Sequence, residues 1–234
     1  MLVLYALALS FMFGAIHFFL RIPLGKSNHF ISLTPTQQHE YQNRATSYVH
    51  AFVAAPLSMY GALGPCNILS SDLCARQPTP ISEATIVISS GFCVYDLAIC
   101  VLKLNYTFKN SFESQYITHH LISLAGAALS LHLGGHNVQL AAACLVTEFS
   151  DLFMNARWFM LKHGKTTSRR YRLVNIAFAW TFFLTRVLFL GGILWRQLTL
   201  SNLRQEQDRM NTILLGALWC LQVSWFLQVY KAVS

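Results

Sequence analysis

Charge is the scarcest property of this 234-residue chain: Asp, Glu, Lys and Arg make up 11% of it, where soluble domains carry about a quarter. With 54% of residues hydrophobic, an ordinary soluble enzyme is excluded. Proline (6) and glycine (12) are also few, and no polar low-complexity tract occurs, which excludes disordered and fibrous classes. Acidic residues number only 9 against 17 basic ones, giving a net charge of +8. The basic residues are scattered between apolar runs and form no continuous face, so the charge does not describe a nucleic-acid partner.

What the chain has in quantity is apolar length. A helix needs roughly 20 apolar residues to cross a hydrocarbon core of about 30 Å, and seven stretches approach that length, near 2–20, 45–64, 82–102, 116–133, 137–160, 173–195 and 211–230. The expected fold is therefore an all-α polytopic transmembrane bundle of about seven helices. The first run has no basic segment before it and no small-residue cleavage site, and it ends in Arg21-Ile22-Pro23, so a retained helix is expected. Gly134-Gly135-His136-Asn137 separates runs four and five and reads as a tight antiparallel hairpin.

Basic residues near helix ends stay on the cytoplasmic side. Arg21, Lys26, Arg44, Lys103, Lys109, Lys162, Lys165, Arg169, Arg170, Arg172 and Lys231 fall on one set of alternating faces, against Arg76, Arg196, Arg204 and Arg209 on the other. The N-terminus is therefore expected to be lumenal or external and the C-terminus cytoplasmic. Cys66 and Cys74 then share the oxidising side, where a disulfide is permitted. Cys93, Cys100, Cys144 and Cys220 lie inside apolar runs and read as core thiols.

An ionisable group at mid-membrane costs about 2.5–3.5 kcal/mol on insertion scales, so retained ones must be paired or hydrated. Run two carries Ser47 and His50, run three Tyr95 and Asp96, run four Tyr116, His119, His120 and His132, run five Glu148, Asp151, Asn155 and Arg157, and run six Arg186. Spacings of three and four place Tyr116, His119, His120 and Ser123 on one face, and Cys144, Glu148, Asp151 and Asn155 on another. Glu148 and Asp151, one turn apart, both stay ionised only with a cationic or hydrogen-bonding partner, and the candidates are His50, His119, His120 and Arg186. Arg157 lies half a turn off that face and is expected to contact another helix or the surface. An internal polar chamber among runs two to six follows. It is suited to chemistry on an amphiphile or to passage of a solute, and interhelical hydrogen bonds that only fix register are the bland alternative. Adjacent imidazoles differ by about 100° around the helix, so one is expected to work and the other to support it. No metal site is expected: the residue three before His119 is Tyr116, so no HxxHH box exists, and the ExxH bundle pattern is absent.

These blocks resemble the TLC-domain membrane proteins, the fold shared by ceramide synthases and smaller lipid-related proteins. The likeness runs in order through Arg44-x-x-Ser47-x-x-His50-Ala51, Gly91-Phe92-x-x-Tyr95-Asp96-Leu97, His119-His120, Glu148-Phe149-Ser150-Asp151 with Asn155-x-Arg157-Trp158-Phe159, and Phe182-Phe183-x-x-Arg186-Val187. It implies a TLC domain over 44–234, preceded by an N-terminal transmembrane helix and cytoplasmic connection over 1–43. It also implies a six-helix barrel-like core with a central cavity holding the histidine pair, and a role in membrane lipid homeostasis in the endoplasmic reticulum or another endomembrane, or at the plasma membrane. The expected site comprises His119, His120, Asp96, Glu148 and Asp151 as catalytic groups and His50, Tyr116, Asn155 and Arg186 as groups that bind an acyl lipid. No resident cofactor is expected; acyl-CoA would be a co-substrate and a sphingoid base an acceptor. In ceramide synthases the pair belongs to an acyl-CoA-dependent N-acyltransferase site whose motif continues to a second His-Asp, whereas His136 here is followed by Asn137. A ceramide-synthase-like acyltransferase, and a non-enzymatic channel, receptor or trafficking scaffold, are the alternative readings.

Overall fold

A computed structural model describes residues 2–63, 78–200 and 206–233, leaving the Cys66–Cys74 expectation outside the described residues. Among the described residues there are helices and no strands. They are α1 (Leu2–Leu24), α2 (Asn28–Ile31), α3 (Pro35–Leu63), α4 (Pro80–Leu102), α5 (Ser111–Leu133), α6 (Gly135–Cys144), α7 (Glu148–Lys162), α8 (Arg169–Phe182), α9 (Leu190–Leu200) and α10 (Glu206–Val233). A 3-10 turn, Leu145–Thr147, joins α6 to α7, and a π-helical turn, Phe183–Phe189, joins α8 to α9. The seven apolar runs thus become seven rods.

Local chemistry sets their ends. Thr79 accepts from the Ser82 N–H at the start of α4, with Pro80 just inside the helix where its missing N–H costs nothing. Asn110 and Ser168 cap α5 and α8 in the same way. Between α5 and α6 the chain reverses through Gly134 (φ 69°) and Gly135 (φ 52°), a backbone region glycine enters without strain. The hairpin expected there is present.

Among the described residues four rods are long and apolar enough to cross a membrane, Val3–Leu24, Pro80–Leu102, Arg169–Thr199 and Arg209–Tyr230, which makes the chain an integral membrane protein. The other three, α3, α5 and α6–α7, are more polar and turn that polarity inward. On α3 the outward side chains are Val49, Phe52, Val53 and Tyr60, while Asn43, Thr46 and His50 are buried. Such an inverted pattern suits a bundle whose solvent is lipid.

Six rods close a ring in the order α3, α4, α5, α10, α8–α9 and α7, and α6 crosses one end against α3, α4 and α5. Helix α1 lies outside the ring against α4 and α3. Gly91 makes that contact close, since a Cβ there would stand 2.6 Å from the Leu9 Cβ and 2.9 Å from the Ala6 carbonyl oxygen. Phe13 of α1 then packs edge-on to Phe92 (5.4 Å) and to His50 (5.8 Å). The core thiol expectation fails at Cys220, whose side chain is exposed on the outer side of α10, where a small apolar thiol meets lipid at no cost.

Candidate functional site

Three acid–base pairs form a belt across the middle of the ring. In the first, Asp96 of α4 is fully buried and takes three donors: the Asn43 amide at Oδ1 (2.6 Å), and the Tyr116 hydroxyl (2.6 Å) and His120 Nε2 (2.7 Å) at Oδ2. His120 Nδ1 lies 3.0 Å from the Tyr116 carbonyl oxygen. Both ring nitrogens of His120 therefore face acceptors, the arrangement of an imidazolium held against a carboxylate.

Arg186, on the π-helical turn, is the centre of the second pair. Its Nη2 donates to Asp151 Oδ1 (2.7 Å), Nε to Ser150 Oγ (2.7 Å) and Nη1 to Gln222 Oε1 (3.0 Å). The Trp219 indole donates to the Val187 carbonyl oxygen (3.0 Å) within the same turn, so a group from α10 satisfies backbone where the helical ladder is irregular. The third pair is looser. His50 Nε2 meets the Ser89 hydroxyl (3.2 Å), and Nδ1 stands 3.4 Å from Glu148 Oε2 without the alignment of a hydrogen bond. Phe92 stacks on the His50 ring at 4.1 Å and 5°. The two acids one turn apart on α7 thus face different basic side chains, Asp151 the Arg186 guanidinium and Glu148 the His50 ring.

Gln222 links the belt to the other histidine. A guanidinium only donates, so the Gln222 oxygen faces Arg186 and its NH₂ faces His119 Nδ1, at 3.4 Å. That fixes His119 as the tautomer with its proton on Nε2. The ring is held edge-on to His120 (5.4 Å) and near Trp225 (5.2 Å), whose indole donates to Gln115 Oε1 (2.8 Å).

His119 and Glu148 line a cavity of about 110 Å³ between α4, α5, α6 and α10, in the half of the bundle nearest the Gly134 hairpin. Its other walls are mostly apolar, among them Ile86, Ile122, Ala127, Leu140, Leu215 and Leu218, with Ser89, Ser90, Ser123, Ser130, Thr147 and Asn211 as polar exceptions. Gly126 also borders it, and a Cβ placed there would meet no atom within 4 Å. Cys93 and Cys144 reach the same space. Among the described residues no group of three or more His, Cys, Asp or Glu side chains is arranged to hold a metal ion.

The structure brings His119, His120, Asp96, Tyr116, Glu148, Asp151, His50 and Arg186 into this belt. Asn155 lies one turn further along α7, fully buried, and donates to Ser47 Oγ (3.2 Å) instead. His132 is exposed, and Arg157 reaches α8, where Nε donates to Asn175 Oδ1 (2.6 Å). Two belt members escape the sequence reading. Asn43 stands two turns before His50, a spacing that shares a helix face, and Gln222 is a buried amide inside the mainly apolar last run.

The family model of the TLC domain matches residues 40–231. Among curated proteins, the chain is 25% identical over 165 residues to TLC domain-containing protein 4-B of Xenopus laevis, covering 68% of this chain and 58% of that protein. It is 27% identical over 158 residues to TLC domain-containing protein 4-B of Danio rerio (66% and 56%) and 28% over 160 residues to TLC domain-containing protein 4 of Homo sapiens (68% and 58%). The aligned part spans less than three fifths of each of these relatives.

Proposed function

The chain belongs to the TLC-domain family, and on that premise we propose that it is a multi-pass endomembrane protein of membrane lipid homeostasis that takes an acyl lipid into the cavity beside His119. On this reading residues 44–234 form the TLC domain, 1–43 supply an N-terminal helix and cytoplasmic connection, and the N-terminus is lumenal. The observation that carries the reading is the cavity itself: apolar walls that suit a hydrocarbon chain, ending at an imidazole and a carboxylate that suit its polar head. Its volume exceeds the minimum for a water molecule several-fold but falls short of the roughly 300–1,000 Å³ of a full ligand site. The cavity therefore accepts part of a chain, and the remainder lies in the seam between α5 and α10, where Gly126 leaves room.

The belt divides the labour of the histidine pair. His120 is the supporting group, with both nitrogens engaged, and His119 is the working group, presenting Nε2–H to an acyl carbonyl oxygen. One observation favours acyl transfer as a second reading, namely that His119 and Glu148 share the same cavity. With an acyl-CoA and an amine such as a sphingoid base, the amine nitrogen attacks the thioester carbon while His119 Nε2–H holds the developing oxyanion. Glu148 takes the amine proton, the C–S bond breaks, and the proton passes to the departing thiolate. Lipid profiles of membranes containing the wild-type chain or His119→Gln decide whether the site acts on lipid. A changed distribution of acyl chains in the wild type alone is expected, and identical profiles at equal expression overturn the chemical role.

A further inference from the structure

The wall of the cavity beside His119 is specific in the charge it carries. Among the described residues no Lys or Arg side chain lines it, and Glu148 is the one carboxylate there. The neighbouring cations are committed elsewhere: Arg186 donates through all three nitrogens to Ser150, Gln222 and Asp151, and both nitrogens of His120 face acceptors. His50 stands 3.4 Å from Glu148 but is not part of the wall. An anionic head, whether carboxylate or phosphate, would shed its water without gaining a cation and would meet a like charge.

The same wall offers donors and an acceptor together. His119 presents Nε2–H, because Gln222 donates to its Nδ1. The Ser90 hydroxyl on α4 is buried and has no hydrogen-bond partner, a cost that a ligand acceptor relieves, whereas its neighbour Ser89 is spent on His50 at 3.2 Å. His50 Nδ1 makes no hydrogen bond to Glu148, which leaves Oε2 able to accept from a ligand. An ammonium only donates and leaves His119 and Ser90 unmatched, and a carboxylate only accepts and leaves Glu148 unmatched. A hydroxyl does both. We propose that the lipid taken here has an uncharged, hydroxylated head, an acyl ester of glycerol, with its ester carbonyl oxygen on His119 Nε2–H and its hydroxyls between Glu148 and Ser90. The proposal rests on the reading that the cavity takes an acyl lipid, and adds the class of head group.

The test is equilibrium binding to the purified full chain in detergent, using monooleoylglycerol, methyl oleate, ionised oleate and oleylamine. Monooleoylglycerol should bind about tenfold to hundredfold more tightly than methyl oleate, the range for a hydrogen bond to a charged group, and oleate should bind no better than methyl oleate. Glu148→Gln should raise oleate affinity about tenfold or more by removing the like charge. It should narrow, without abolishing, the advantage of monooleoylglycerol, since an amide oxygen still accepts. Oleate that matches monooleoylglycerol, or oleate affinity unchanged in Glu148→Gln, overturns the proposal. Oleylamine that outcompetes monooleoylglycerol and loses that lead in Glu148→Gln overturns it in favour of a cationic head. Gly126→Leu should weaken all four ligands. If it does so while affinity is indifferent to the head group, the acyl cavity stands and the head-group assignment falls; if it weakens none, or if nothing binds the wild type, the cavity reading falls and the assignment with it. Should Glu148→Gln not fold, Ser90→Ala must narrow the gap between monooleoylglycerol and methyl oleate, and an unchanged gap refutes the assignment.

Discussion

Replacing Asp96 separates an electrostatic account of the belt from a merely steric one. Asp96→Ala leaves the Tyr116 hydroxyl, the Asn43 amide and His120 Nε2 without their acceptor, in a place fully closed to solvent. Removing one partner of a buried ion pair costs about 3–5 kcal/mol. Asp96→Asn should cost far less, for a reason visible in the geometry. The amide oxygen can take the Oδ2 position and accept from Tyr116 and His120, which turns its NH₂ towards the Asn43 amide. Asn43 Oδ1 is buried and has no hydrogen-bond partner, so a flip of the Asn43 side chain supplies the missing acceptor. The remaining loss is the charge on the Asp96–His120 contact, about 1–2 kcal/mol. Thermal or denaturant unfolding of the detergent-solubilised variants measures both changes, and a gap of about 2 kcal/mol or more is expected. Equal destabilisation by the two substitutions refutes the flip, and a near-neutral Asp96→Ala refutes the buried pair. Adding Asn43→Ala to Asp96→Asn should cost more than the sum of the single changes, because the compensating acceptor is gone.

The histidine pair should respond asymmetrically: His120→Ala strands Asp96 and costs about 3–5 kcal/mol, whereas His119→Ala costs about 1 kcal/mol and shows its effect in lipid binding or lipid profile. Gly91→Ala should loosen α1 from α4 by about 1–3 kcal/mol, read as lower thermal stability and as weaker cross-linking between cysteines placed on the two helices. At the rim, the Tyr41 hydroxyl and His163 Nε2 are 2.9 Å apart and the His29 ring lies 4.4 Å from that of His163. Burial, then the neighbouring His29 and Lys165, lower the affinity of His163 for a proton. The unfolded chain then binds that proton first, so this contact stabilises the fold above the ordinary histidine value of 6.5 and loses that contribution as pH falls below it. Melting temperature should drop between pH 7.5 and 5, and His163→Gln should reduce the drop.

The number of rods, the Gly134 reversal and the polar faces of the fourth and fifth runs were legible because apolar length, turn chemistry and the 3.6-residue repeat are local properties. The caps at Thr79, Asn110 and Ser168 are local too but lie outside the apolar runs, so runs counted by hydrophobicity start later than the helices do. The ionisable residues of the belt, unlike the amides Asn43 and Gln222, were legible as a set because such groups in lipid are costly and therefore meet one another. Their partners were not legible, since helical periodicity says nothing of register between helices. That Asp96 pairs with His120, and Asp151 with Arg186, depends on how far α4 slides against α5 and α7 against the π-helical turn. The two irregular turns, at Leu145–Thr147 and Phe183–Phe189, contain no proline or glycine to announce them. The second depends on the Trp219 indole, thirty-two residues away, to satisfy the Val187 carbonyl.

The central claim is that hydrocarbon enters the ring beside His119, and photo-cross-linking tests it most directly. A palmitoyl analogue carrying a diazirine near the end of its chain, added to the purified protein and mapped by mass spectrometry, should label residues lining the cavity on α5 and α10, such as Ala127 and Leu214. Gly126→Leu should abolish that labelling and leave labelling of the lipid-facing surface, at Phe52 or Trp195, unchanged. Labelling confined to the outer surface in the wild-type chain, or cavity labelling that persists in Gly126→Leu, contradicts the account.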